Sequence, residues 1–260
     1  MKHPNRFNKI LQHNTLYEES KLQTLQTVKY RNSWYIWGLK VSSRVMDQRC
    51  EQLNLKTRGI SFTLNLPHYV KVSKSDSEEV SNIFFLVRNG LEKVYTGILE
   101  VSNFKQAVSI RDNEATTWKI GWDREKYENK LRTYLKKAYD GVQKGHFFDG
   151  HHGSYHESLY YFSKAVEKSK IHLIDIDHKD FYMCYDILSA KPYEKDYHYR
   201  PKIHTNLYGY SIVESMINNN LDTEWGQFWH KVGQSEQAFY KLLKKRFPSV
   251  DRQEYENLIN

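Results

Sequence analysis

Only two cysteines, Cys50 and Cys184, occur in 260 residues, and they lie far apart. Neither a disulfide framework nor a cysteine zinc cluster is available to such a chain. Long apolar runs are missing too. Nothing approaches the roughly 20 residues that span a bilayer, and the N-terminal MKHPNRFNKI has no apolar core behind its charges. Membrane insertion and secretion are therefore not expected, and the expected compartment is the cytoplasm. The chain also lacks a glycine-rich phosphate loop, a dinucleotide fingerprint and a Ser-His-Asp pattern, which argues against kinases, NTPases and dinucleotide enzymes. No internal repeat or low-complexity linker divides it.

What the chain has is positive charge and aromatic rings. A formal net charge of +8 points to a polyanionic partner, although dispersed lysines also serve solubility. Aromatic residues make up 15%, with 20 tyrosines, enough bulk for a core despite low mean hydropathy. The two features meet between Ile171 and Ser211. There Ile171, Leu173, Ile174 and Ile176 form an apolar run of strand length, Asp177 offers an N-cap, and Phe181, Cys184, Tyr185 and Leu188 recur at helical spacing. Pro192 ends that helix, and a loop reaching Tyr210 interleaves tyrosines with Lys195, Arg200, Lys202 and two histidines. Lys191, Lys195, Arg200, Lys202 and Tyr208 are accordingly the candidate nucleic-acid contacts.

The rest reads around that stretch. Residues 1–30 are a polar arm. SWYIWGLKV is β-prone, Ser42 or Ser43 caps a helix carrying Val45, Met46 and Leu53, and Ile60, Phe62, Leu64 and Leu66 alternate as a half-buried strand closed by Pro67. A capping box at Ser75 and Glu78 predicts a helix with Val80, Ile83, Phe84, Val87 and Leu91 on one face. VYTGILEVS and TWKIGW read as strands, and Asp123 as the cap of a helix bearing Leu131, Leu135 and Ala138. After the glycine- and histidine-rich GVQKGHFFDGHHGSYH, a helix is expected from Glu157 to Ser169, and YSIVESMI and EWGQFWHKVGQSEQAFYKLLKKRF both look helical. This order predicts an α+β fold: an antiparallel sheet with helices packed on one face and a helical C-terminal extension. The expected division is an arm at 1–30, a main domain at 31–211 and the extension at 212–260.

Three groups bear on chemistry. His146, His151 and His152, with His156, either bind a divalent metal or sit in an exposed polar loop. Glu100, read at a strand end, is either a metal ligand or an edge residue. Tyr161 and Lys164 form a YxxK pair that sets a tyrosine nucleophile one helical turn from a cation, a geometry equally common on ordinary surfaces.

The strand SFTLNLPHY with the segment EEVSNIFFLVRNGLEKV resembles the opening strand and following helix of the inovirus-type replication initiators. These are rolling-circle proteins of filamentous phages and prophages, built on the HUH-endonuclease fold. IHLIDIDHKDFYMCYDIL resembles their later Leu-Asp strand and tyrosine-rich helix, and AKPYEKDYHYRPKIHTNLYGYS their closing basic run; together these cover residues 57–211. The resemblance implies a DNA-binding protein of a phage, prophage or plasmid, with single-stranded or hairpin DNA as partner and Mg or Mn as cofactor if it is catalytic. The family's metal-binding histidine pair is replaced by Thr116, Thr117, Trp118 and Lys119, and aligning on Lys191 puts Leu188 where the nucleophilic tyrosine belongs. Glu100 matches the family's acidic residue. Lys119 would hold a phosphate as a point charge where the metal sits, so binding without cleavage is expected. The alternatives are an active metal-dependent nickase using Tyr161, and a protein-binding inhibitor or host-takeover factor.

Overall fold

In the computed structural model the described residues are 25–38, 41, 43–60, 77–102, 124–144, 155–176, 188 and 203–260. Strands β1 (Leu25–Tyr30) and β2 (Ser33–Trp37) form a hairpin whose two-residue turn places Arg31 at a φ of 51°, the left-handed region. Helix α1 (Ser43–Gln52) follows, as its serine cap and Met46 predict, and Arg58–Ile60 forms β3 against β1. The remainder of the alternating 61–66 segment lies outside the described residues, as do the arm before residue 25, the TWKIGW strand and the helix expected after Asp177.

Two neighbouring elements exchange types relative to expectation. Asn82–Val87 is a strand, β4, where a helix is predicted, and Gly90–Val101 is a helix, α2, where a strand is predicted. The cause is visible in the residues. Ile83, Phe84, Phe85, Leu86 and Val87 are all apolar, so a helical spacing can be picked from them, but an unbroken, mainly aromatic and β-branched run of five is the mark of a strand buried on both faces. In α2, Val94, Tyr95, Ile98 and Leu99 are buried, a period of three and four that the β-prone composition conceals.

Helices α3 (Arg124–Gln143) and α4 (Tyr155–Phe162) come next. The helix expected over 157–169 stops at Phe162, and a 3-10 turn at Lys168–Lys170 leads into β5 (Ile171–Asp175), the strand expected there. The chain ends in α5 (Ile203–Asn218), α6 (Glu224–Arg246) and α7 (Arg252–Ile259). Thr223 caps α6 through Gly226 N–H, and a reciprocal Asp251–Glu254 box caps α7.

The fold is α+β, but its sheet is mixed instead of antiparallel. The order is β3-β1-β2-β4-β5; β1 is antiparallel to both neighbours, whereas β2, β4 and β5 run parallel. Beyond β5, Ser249 adds a parallel bridge to Leu173, with Leu173 N–H donating to Pro248 O and Val250 N–H to Leu173 O. Helices also cover both faces, not one. On the first face Trp34 and Phe85 pack edge-on against Phe162 of α4, at 5.2 and 5.7 Å between ring centroids. On the second, Tyr35, Phe84 and His172 lie in register, and Phe84 meets Tyr255 of α7 at 5.0 Å. Parallel strands are linked by crossovers that deposit helices on the sheet, which is why an antiparallel, one-faced expectation fails here.

A second core lies among the helices. Val94 and Ile98 of α2, Leu131 and Leu135 of α3, Val213 and Ile217 of α5, and Trp229 and Val232 of α6 are buried together, and Trp229 Nε1 donates to Leu135 O at 2.9 Å. Helix α6 belongs to both cores, because its later Phe239, Tyr240 and Leu243 pack with the sheet.

Candidate nucleic-acid interface

The inward stripe of α6 runs Trp229, Val232, Glu236, Phe239, Leu243, and one of its core positions is a carboxylate. Glu236 is only 2% exposed yet well partnered. Its Oε1 accepts from the Tyr155 and His156 backbone N–H groups at 3.0 and 3.2 Å, and Lys93 Nζ, itself 0% exposed, lies at 3.3 Å. His156 Nδ1 is 3.2 Å away without hydrogen-bond alignment. Burial pushes the Glu236 carboxyl up, but Lys93 and then His156 outweigh it and bring the group down to about 2. A negative charge thus sits against the N-terminus of α4, where the first N–H groups need acceptors.

The next residue repeats the device. Gln237 Oε1 accepts from Gly90 N–H at 2.7 Å and Leu91 N–H at 3.3 Å, at the start of α2. A Cβ on Gly90 would come within 2.5 Å of the Gln237 backbone nitrogen, so glycine is what permits α6 to pass this closely. Two consecutive side chains therefore hold the starts of two helices. Glu157 completes the node: burial and the neighbouring Glu236 charge raise its carboxyl to about 8, so it is neutral at pH 7. The node's ionisable side chains are buried, which makes it an anchor and not a reactive surface.

That anchor fixes α4, whose other end reaches the surface. Two cations approach the buried Tyr160 ring, Lys164 Nζ at 4.5 Å and Arg246 Cζ at 5.6 Å from its centroid. Lys164 also stands over Tyr161 at 5.1 Å, as the spacing of three residues predicts. Nearby, Asp175 at the end of β5 accepts from Tyr240 Oη at 2.8 Å and from Lys244 Nζ at 2.6 Å, while the Lys244 side chain remains 38% exposed. Lys164, Lys168, Lys241, Lys245 and Arg246 are exposed. With Tyr160 and Tyr240 buried and Tyr161 half-buried, what this surface offers is cations suited to phosphates. A second basic face lies on α3, where Lys130, Arg132, Lys136 and Lys137 are exposed opposite buried Leu131 and Leu135.

Among the residues singled out from sequence, Tyr161 and Lys164 meet, and Lys164 shares the Tyr160 ring with Arg246. Lys119, Lys191, Lys195, Arg200 and Lys202 lie outside the described residues, as do His146, His151 and His152. His156 is described and is a buried member of the node instead of a loop residue. Tyr208 falls in α5, which replaces the end of the expected loop with helix. Glu100 falls near the end of α2, so its reading as a strand-end residue is corrected. Leu188 is 1% exposed and packs in the sheet core. Among the described residues no group of three or more His, Cys, Asp or Glu side chains is arranged to hold a metal, and no helix is long and apolar enough to cross a membrane. No family model, curated protein or solved structure matches this chain.

Sequence reasoning missed Asp175, Glu236, Lys93 and Arg246. For Glu236 a signal exists: a carboxylate at an inward helical position among Val232, Phe239 and Leu243 needs a buried partner. For Arg246 none does, since its approach to Tyr160 is purely tertiary.

Proposed function

We propose that the protein binds single-stranded or hairpin DNA through the surface where α4 meets α6, as a cytoplasmic protein of a phage, prophage or plasmid related to the replication initiators. The observation that carries this reading is the exposed cations that α6 and the turn after α4 present at their junction, Lys164 and Arg246 over the buried Tyr160 ring and Lys168, Lys241 and Lys245 on the same stretches of chain. Such cations neutralise phosphates without reading sequence. Binding without cleavage is the phenotype proposed. Lys164 stands over the face of the Tyr161 ring, a position that supports stacking and cation–π contact.

The test is incubation with labelled single-stranded and hairpin DNA, with and without manganese, resolved on native and denaturing gels. A native shift with intact DNA on the denaturing gel is expected. A covalent adduct that forms with the wild type and disappears in Tyr161→Phe would replace this reading with the nickase alternative. No shift with either DNA at low salt would remove the nucleic-acid reading.

A further inference from the structure

The junction with α4 lies at one end of α6, and the basic face of α3 lies at the other. Trp229 Nε1 donates to Leu135 O, and Phe228 meets Tyr139 of α3 at 5.5 Å between ring centroids, so α3 is fastened to the early turns of α6. Arg246, which reaches Tyr160 of α4, is the last residue of the helix. Phe228 and Arg246 are separated by five turns of 3.6 residues and so project from one side of α6, which sets α3 and α4 on that side about 27 Å apart.

The solvent face of α6 joins the two ends. Gln227, Lys231, Gln234, Ala238, Lys241 and Lys245 recur every three and four residues, and all are exposed. Beyond Glu224 the only acid of this helix is Glu236, which is buried in the node, while Glu224 itself accepts from Tyr139 Oη at 2.8 Å. On α3, Asp140 is half-buried, and Glu125 in the first turn is the only exposed acid among the described residues. Lys130, Lys136 and Lys137 of α3, like Lys231, Lys241 and Lys245 of α6, make no ion pair or hydrogen bond among the described residues. Cations of one sign therefore run the length of α6 with neutral side chains between them and the acids withdrawn. A small anion needs one of these lysines, whereas a partner that uses both ends must repeat its charge over about 27 Å. A DNA stem does so, with a phosphate on each strand about every 3.4 Å.

We infer that the solvent face of α6 is a phosphate track joining the α4–α6 junction to α3, along which one hairpin stem of about eight base pairs or more is held at both ends. This rests on the DNA-binding reading and extends it from the junction to a path with a minimum ligand length. Engaging the second end is then intramolecular, so affinity rises sharply once the stem is long enough to reach it.

The experiment measures binding of the full chain to hairpins that share one loop and have stems of about 4 or about 12 base pairs, roughly 14 and 41 Å long at 3.4 Å per step. The longer stem should bind at least about tenfold tighter as a one-to-one complex. In the variant carrying Lys130→Gln, Lys136→Gln and Lys137→Gln that gain should vanish, with the log–log salt slope for the long stem shallower by about 2.7, near 0.9 for each lost contact, while affinity for the short stem changes by less than about twofold. Lys231→Gln with Lys241→Gln, on a different helix, should also reduce the gain, and circular dichroism checks that both variants stay folded. Equal affinity of the wild type for the two stems overturns the track, as does a gain that both folded variants retain, or two protein copies on the long stem. In each of those cases the short stem still binds and the DNA reading stands; if neither hairpin binds at low salt, the DNA reading falls and the track with it.

Discussion

Glu236→Ala is expected to lower the unfolding free energy by roughly 3–5 kcal/mol, because removing one partner leaves a buried charge uncompensated. Lys93, 0% exposed, would lose the carboxylate 3.3 Å away, and the Tyr155 and His156 N–H groups would lose their acceptor. Gln237→Ala removes only neutral hydrogen bonds to the start of α2 and should cost about 1 kcal/mol. Urea unfolding of both variants checks the ranking. The companion Lys93→Met in the Glu236→Gln background should recover most of the loss, since an apolar side chain with a neutral amide leaves no buried charge. If Glu236→Ala and Gln237→Ala cost the same, the carboxylate is not the anchor described.

The second large effect is on pH dependence. Glu157 has a carboxyl raised from its ordinary value near 4.5 to about 8, by burial first and by Glu236 second. The folded state therefore binds a proton that the unfolded chain gives up. Stability is fully present below about pH 4.5 and is lost as pH rises towards 8. Converted at 1.36 kcal/mol per unit, the loss is of the order of 5 kcal/mol. Glu236 works the opposite way, because its depressed carboxyl adds stability above pH 4.5 that is lost as pH falls towards 2. Between them these two groups place the stability maximum on the acid side of neutrality. Glu157→Gln keeps the shape and removes the titration, so its melting temperature should exceed the wild type's at pH 8.5 and vary less between pH 5 and 8.5. Parallel profiles for the two proteins would show that Glu157 is not titrating inside the fold.

How far these features could be read from the chain depends on whether their cause is local. Strand β5 was legible because Ile171, Leu173 and Ile174 are short, apolar and bounded, and α3 because Leu131 and Leu135 keep a helical period. The exchange of strand and helix across β4 and α2 was not, because a continuous apolar run satisfies either period and only the parallel pairing with β2 and β5 decides between them. The mixed sheet follows from the same pairing. Of the candidate site, the spacing of Tyr161 and Lys164 was enough to bring the two together. The second cation at Tyr160 comes from Arg246, and the acceptor that starts α4 from Glu236, both on α6 far along the sequence. Such contacts are set by how α6 crosses the molecule, and no local pattern encodes that crossing.

The account turns on whether the junction of α4 and α6 carries DNA. Its most direct test is the salt dependence of single-strand binding by fluorescence anisotropy, for the wild type and for Lys164→Ala with Arg246→Ala. The proposal predicts wild-type affinity falling steeply with salt, and a double variant that binds more weakly with a log–log slope shallower by about 1.4, near 0.7 for each lost phosphate contact. A folded double variant with wild-type affinity and slope would contradict it, and would move the interface elsewhere on the protein.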